Sequence, residues 1–227
     1  MIAYIADTSA LYDEDFFRHY YSLVSEERKR KIDRMHFQKD KCLSLGVELL
    51  LMQACFDFEI DYTKQHIVYD DYKKPKFDNC DIHFNLSHSE NRAMCVMADY
   101  PVGCDVEKIS EINMDIAKRF FFEDEYATIE KCESQAEKDN TFYRLWTLKE
   151  SFMKCTGLGF HLPLNEFAIS IENSNIEVQH SINDSKYKFF EYDIHDGYKY
   201  AVCIQNPKQI KTNYHDEIRW KHIRFNR

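Results

Sequence analysis

The chain has 227 residues, 44% of them hydrophobic and 30% charged, with a formal net charge of −9. That is enough apolar material for the core of one large or two small domains, and the acidic balance argues against general binding to nucleic acid or anionic membranes. No apolar run approaches the roughly 20 residues of a membrane-spanning helix, and the first residues lack the basic and long apolar regions of a secretory leader.

The eight cysteines are scattered, with no Cys-x-x-Cys or paired Cys/His spacing. Reduced, buried thiols are expected rather than disulfides or zinc, and with them a cytoplasmic protein.

Residues 3–8 read as a strand, and the acidic residues 13–15 suit the first turn of a helix. Ser25 then caps a basic helix, Glu26 to Arg34, opening a run of seven cations that ends at Lys41. Such a run is ordinarily a solvated helix face; its functional reading is a funnel for a small polyanion. A strongly apolar helix over 40–57 buries Leu43, Val47, Leu50, Leu51 and Ala54. Strands follow near 66–69, 82–86 and 93–98, broken by turn chemistry at Lys73-Lys74-Pro75 and at Ser87-His88-Ser89-Glu90-Asn91. That places Ser87 and His88 at a strand end, from which hydroxyl and imidazole could meet a phosphate, although a lone loop histidine is more often just solvated.

Pro101 to Glu107 alternates as a strand, with Val102, Cys104 and Val106 on one face and Asp105 and Glu107 on the other. Two carboxylates side by side repel unless a cation lies between them. Hard divalent metals favour that arrangement, and Mg²⁺ completes its shell with water and substrate phosphate.

Helices are expected with a stripe at Ile112, Ile116 and Phe120, and again over 123–132. Residues 142–156 form a buried helix stopped by Gly157 and Gly159. On it Trp146, Glu150 and Lys154 share one stripe, while Lys149 falls among the apolar residues, where it either snorkels to solvent or finds a carboxylate or a bound phosphate. Glu150 is the natural third carboxylate beside Asp105 and Glu107. Strands recur near 166–171, 187–194, 198–204 and 217–224, so element order repeats about residue 103. The halves are taken as 1–103 and 104–227, and without a Pro/Gly-rich linker they must pack closely around a cleft.

The chain resembles the 4′-phosphopantetheinyl transferases of the Sfp type. The resemblance rests on Gly103-Cys-Asp105-Val-Glu107 and on Trp146-Thr-Leu-Lys149-Glu150-Ser151-Phe-Met-Lys154 with the glycines after it. Phe84 to Ser89, Ala117 to Phe121 with Glu125, Lys74-Pro75 and the basic helix support it, over residues 25–170 in all. The chain departs from the pattern where an arginine is missing near Lys41, at Lys73 in place of glycine, and at Phe122 in place of a capping Ser or Thr.

The resemblance implies an α+β fold of two similar, pseudo-twofold halves clamping coenzyme A in the cleft between them. It implies transfer of the phosphopantetheine arm to a serine of an acyl or peptidyl carrier protein, with release of adenosine 3′,5′-bisphosphate. Asp105, Glu107 and Glu150 are the expected ligands of Mg²⁺, with Mn²⁺ as an alternative. Glu150 would be the base, and Lys154 would stabilise the leaving phosphate. Lys149 would pair with the pyrophosphate, and Arg28, Lys31, Lys74, Ser87 and His88 would hold the nucleotide end. The Phe120 to Phe122 triplet is expected in the core, since exposed aromatic runs are uncommon, with Phe122, off the family pattern, the member best suited to reach the carrier. The carriers would be those of non-ribosomal peptide or polyketide synthesis, and one chain would work alone. A Mg²⁺-dependent phosphohydrolase using the same carboxylates, a non-catalytic coenzyme A module and a nucleic-acid binder are the competing readings.

Overall fold

A computed structural model describes residues 1–172, 175–206 and 218–225. In chain order these form β1 (Ile2–Asp7), α1 (Glu14–Leu23), α2 (Glu26–Asp33), α3 (Gln38–Asp57), β2 (Ile67–Tyr69), β3 (Pro75–Phe77), β4 (His83–Ser89) and β5 (Arg92–Ala98). Then come β6 (Val102–Lys108), α4 (Met114–Phe120), α5 (Glu123–Glu130), α6 (Gln135–Thr156), β7 (Ala168–Glu172), β8 (Asn175–Gln179), β9 (Lys186–Tyr192), β10 (Tyr198–Asn206) and β11 (Arg219–Ile223). Among the described residues no helix is long and apolar enough to cross a membrane.

The fold is α+β, each half laying one long helix across a sheet. In the first half α3 packs on the sheet β11-β1-β5-β4, and in the second α6 packs on β6-β10-β9. Strand alternation sorts the residues into layers. Tyr4, Ala6, Cys95 and Met97 face α3, while Ala3, Ile5, Met94 and Val96 turn to a shared core with Val102, Cys104, Val106 and Val202. That shared core welds the halves.

The structure departs from the sequence reading in its boundaries. A division at 103/104 falls inside β6, and β11 returns to pair in parallel with β1 of the first half. The expected last strand is observed over 219–223, residue 217 lying outside the described residues. Strands β3 and β8 were unread, being short partners in two-stranded ribbons. β4 also runs past its expected end, because Ser87, His88 and Ser89 pair with Met94, Ala93 and Arg92 of β5.

Where the halves meet, β4 and β6 run side by side without a backbone ladder. Side chains replace it: Cys104 N donates to Asn85 Oδ1, Val106 N to Ser87 Oγ and Lys108 N to Ser89 Oγ, at 2.9, 3.4 and 3.2 Å. Every second residue of β4 thus satisfies every second amide of β6, so this buried strand edge carries no orphaned donors there.

Gly103 brings α6 onto β6. A Cβ at this position would collide with the backbone at Ser151 and Cys155, so only glycine permits the approach. Helix α6 starts with a capping box, Ser134 with Glu137, and stops at Gly157 in the left-handed conformation, φ 80°. The Nζ of Lys149 is fully buried and donates to both oxygens of Glu125 and to Phe167 O, each at 2.7 Å. Glu125 also accepts from Phe122 N and Ile169 N, so one carboxylate joins α5, α6 and β7.

Two changes test this scaffold by denaturant unfolding. Gly103→Ala is expected to lower stability by about 1–3 kcal/mol, the usual cost of overpacking. Glu125→Ala, which strands a buried ammonium, is expected to cost about 3–5 kcal/mol.

Candidate active site

The close approach at Gly103 puts the next two alternate residues of β6, Asp105 and Glu107, beneath the polar stripe of α6. Together with Trp146, Glu150 and Lys154 they line a cavity of about 570 Å³ between the halves. Its other walls are Arg28 and Lys31 from α2, Val47 from α3, the β2–β3 ribbon, Ser87 and His88 from β4, and Phe160.

Lys154 bridges the two elements. Its Nζ donates to Asp105 Oδ1 at 2.6 Å and to Ser87 Oγ at 3.0 Å, and Ser87 Oγ donates in turn to Asp105 Oδ1 at 2.9 Å. Ser89 Oγ donates to Glu107 Oε2 at 2.7 Å. Burial is the largest influence on Lys154 and opposes its charge, but Asp105, Cys104 and Glu150 together raise the lysine above its ordinary range.

The carboxylates are over-supplied with negative charge. Burial pushes the carboxyl of Asp105 up in spite of Lys154, and its Oδ2 is buried with no donor among the described residues. Burial and Asp105 together push Glu107 up to about 7 and raise Glu150 as well. Glu150 makes no hydrogen bond or ion pair among the described residues.

An orphaned carboxylate oxygen and an all-oxygen donor set beside it suit a hard divalent cation. The three carboxylates line one cavity, but among the described residues no three acidic, histidine or cysteine side chains are gathered closely enough to hold a metal ion. Lys154 supplies the counter-charge to Asp105 there.

The expected coenzyme residues divide into two groups. Arg28, Lys31, Ser87 and His88 line the cavity. Lys31 has no ion pair among the described residues, and burial followed by Arg28 lowers its pKa. Burial and then Lys154 lower that of His88. Lys41, beside the position where the arginine of the family pattern is missing, is not among the lining residues.

Lys149 is a correction. Its counter-charge is Glu125 inside the protein, and its Nζ is sealed from the cavity, so it holds no substrate phosphate. Lys74 is committed in a similar way, donating to Val102 O and Cys155 O at 3.0 Å each and fastening the β2–β3 turn to the second half. It still lines a side chamber with Tyr72, Asn85 and Phe160. Lys73 adopts φ 70° there, the conformation that the glycine of the family pattern would favour.

Several site residues escaped the sequence reading. Phe160, 86% exposed at the cavity mouth, carried no signal beyond following a glycine. Glu48 was legible in principle as a carboxylate in the apolar interior of α3; it is buried and receives Arg28 and Tyr62. Within the aromatic triplet, Phe121 is core, while Phe120 and Phe122 are 37% and 41% exposed.

Residues 101–203, which contain both β6 and α6, match the 4′-phosphopantetheinyl transferase superfamily. The 4′-phosphopantetheinyl transferase gsp of Aneurinibacillus migulanus is 33% identical over 193 residues, 84% of this chain and 80% of that protein. The 4′-phosphopantetheinyl transferase Sfp of Bacillus subtilis (strain 168) is 32% identical over 189 residues, 82% of this chain and 84% of its own. The crystal structure of Thermotoga maritima holo-[acyl-carrier-protein] synthase shares a partial likeness, TM-score 0.41 at 17% identity, over 48% of this chain and 64% of that one. With a third of its residues shared across four fifths of such a transferase, and with the carboxylates of β6 and α6 facing one cavity, the chain belongs to the 4′-phosphopantetheinyl transferase superfamily.

Proposed function

We propose that the cavity binds coenzyme A and a divalent cation, Mg²⁺ or Mn²⁺, and passes the 4′-phosphopantetheine arm to a serine of an acyl or peptidyl carrier protein. The observation that carries this reading is the convergence of Asp105, Glu107, Glu150 and Lys154 on one cavity already walled by Arg28, Lys31 and His88.

Asp105, Glu107 and Glu150 would hold the cation, which neutralises charge on the pyrophosphate when bound. Lys154 adds a fixed positive charge where the departing bisphosphate gathers negative charge, and electrostatic stabilisation of that kind dominates phosphoryl transfer. Glu150 takes the proton from the serine hydroxyl as its oxygen bonds to the phosphorus carrying the pantetheine. The bond from that phosphorus to the bridging oxygen breaks, and adenosine 3′,5′-bisphosphate departs. Burial and then Asp105 raise the carboxyl of Glu150 above its ordinary range.

Arg28, Lys31, Ser87 and His88 would contact the phosphates of the nucleotide end, with Lys74 at the rim of the adjoining chamber. Phe120 and Phe122 give an apolar surface near Trp146 for the carrier, since a net-acidic enzyme gains no long-range steering toward an acidic partner. Both walls of the site come from one chain, so a monomer suffices. The eight free thiols suit the reducing cytoplasm, and carriers of non-ribosomal peptide or polyketide assembly are the partners in view.

Mass spectrometry of an apo-carrier incubated with coenzyme A and Mg²⁺ tests the reading through Glu150. Glu150→Ala is expected to abolish the gain of one phosphopantetheine, and Glu150→Gln to keep coenzyme binding while turnover falls roughly 10²–10⁴-fold. Full turnover in either removes Glu150 from the chemistry.

A second expectation concerns pH. The carboxyl of Glu107 moves from an ordinary 4.5 to about 7 on folding, so the folded chain holds this proton more tightly than the unfolded one. Stability from this group is therefore full below pH 4.5 and lost as pH rises through 7. Urea unfolding in a chelating buffer should show that loss, Glu107→Gln should flatten it, and Mg²⁺ should offset it.

A further inference from the structure

Arg28 and Lys31 stand one turn apart on α2, and both line the main cavity together with two smaller recesses beside it. Two cations so close repel, and burial followed by Arg28 lowers the pKa of Lys31. Long cationic side chains in that position ordinarily swing out toward water.

Arg28 does not. Its side chain is only 11% exposed, because Glu48 of α3 pairs with its guanidinium and Ser44 Oγ accepts from its Nη1 at 3.4 Å. Glu48 is itself buried, on a helix whose neighbouring residues Val47, Leu50 and Leu51 belong to the core. Its other oxygen accepts from the hydroxyl of Tyr62, which belongs to the single helical turn Tyr62–Lys64. Burial and then Glu48 raise that phenol, so it keeps its proton for the bond.

Fastening α2 to α3 would be served as well by apolar side chains, since a buried ion pair gains little over a hydrophobic contact of similar volume. What the pair adds is direction. A guanidinium is a planar fork of N–H donors, and with Nη2 on Glu48 and Nη1 near Ser44 its plane is set. The donors left over then point one way, and a ligand that meets them does not have to order the side chain first.

We propose that Glu48 is a positioning residue: steadied by Tyr62, it presets the Arg28 guanidinium for an incoming phosphate and strengthens coenzyme A binding through that arginine rather than by a contact of its own. The proposal rests on the coenzyme A reading above.

Calorimetry with coenzyme A and Mg²⁺ separates placement from charge with two substitutions. Glu48→Gln keeps the length and the hydrogen-bonding reach of the side chain but removes its charge. Glu48→Asp keeps the charge and draws it back by one methylene, out of reach of Arg28 and Tyr62 together. Glu48→Asp is expected to weaken coenzyme A roughly three- to tenfold, the cost of ordering one arginine side chain on binding. Glu48→Gln should bind within about twofold of the unaltered protein, or more tightly. In an Arg28→Lys background, which has no fork to orient, Glu48→Asp should change the affinity by less than about twofold. Unchanged affinity in Glu48→Asp, an equal fall in Glu48→Gln, or an equal fall in the Arg28→Lys background overturns the proposal. Where circular dichroism shows Glu48→Asp to be unfolded, Tyr62→Phe decides in its place: about threefold weaker binding is expected, and unchanged affinity overturns the proposal. An unaltered protein that does not bind coenzyme A overturns the coenzyme reading itself, and this proposal with it.

Discussion

Everything at the site follows from a helix resting directly on a strand backbone. Without a side chain at Gly103, α6 comes close enough for Lys154 to reach Asp105. Alternation along β6 then puts Glu107 on the same face, and helical period puts Glu150 one turn before Lys154. The spacing in each motif is thus a statement about one crossing: glycine at the contact, carboxylates on the next two inward positions, and a polar stripe above them. The Glu125–Lys149 pair stiffens this crossing from the far side of the helix, where it joins α5 and β7 to α6.

The seam between halves adds a second constraint. Asn85, Ser87 and Ser89 reach across to the β6 amides, and two of them also donate to the acidic side chains that β6 presents. The groups that hold the halves in register are therefore the groups that orient Asp105 and Glu107. Lys154, Arg28 and Lys31 offset part of the negative charge, yet the raised carboxyls and the unsatisfied Asp105 Oδ2 leave the site short of positive charge. On the proposed reading, a cation that arrives with its ligand would redress that imbalance.

Much of this was legible in the sequence, because it is periodic. The faces of β6 and α6, the cap at Ser25 and the stop at Gly157 are local patterns, and they fold as their spacing requires. Long-range partners were not legible. That Lys149 needed a counter-charge follows from its place among apolar residues, but Glu125, 24 positions away, is chosen by tertiary packing. The same holds for β11, whose pairing with β1 joins the two ends of the chain, and for Lys74, whose ammonium serves two carbonyls. The polar alternation of Asn85, Ser87 and Ser89 was visible, yet its meaning depended on β6 lying alongside.

The proposed convergence of β6 and α6 on one divalent cation is tested most directly by titrating the protein with Mn²⁺ in the presence of coenzyme A and following free Mn²⁺ by electron paramagnetic resonance. The account predicts one bound ion per chain, lost when either Asp105 or Glu150 is replaced by alanine. Binding that survives both replacements with unchanged stoichiometry and affinity would contradict it.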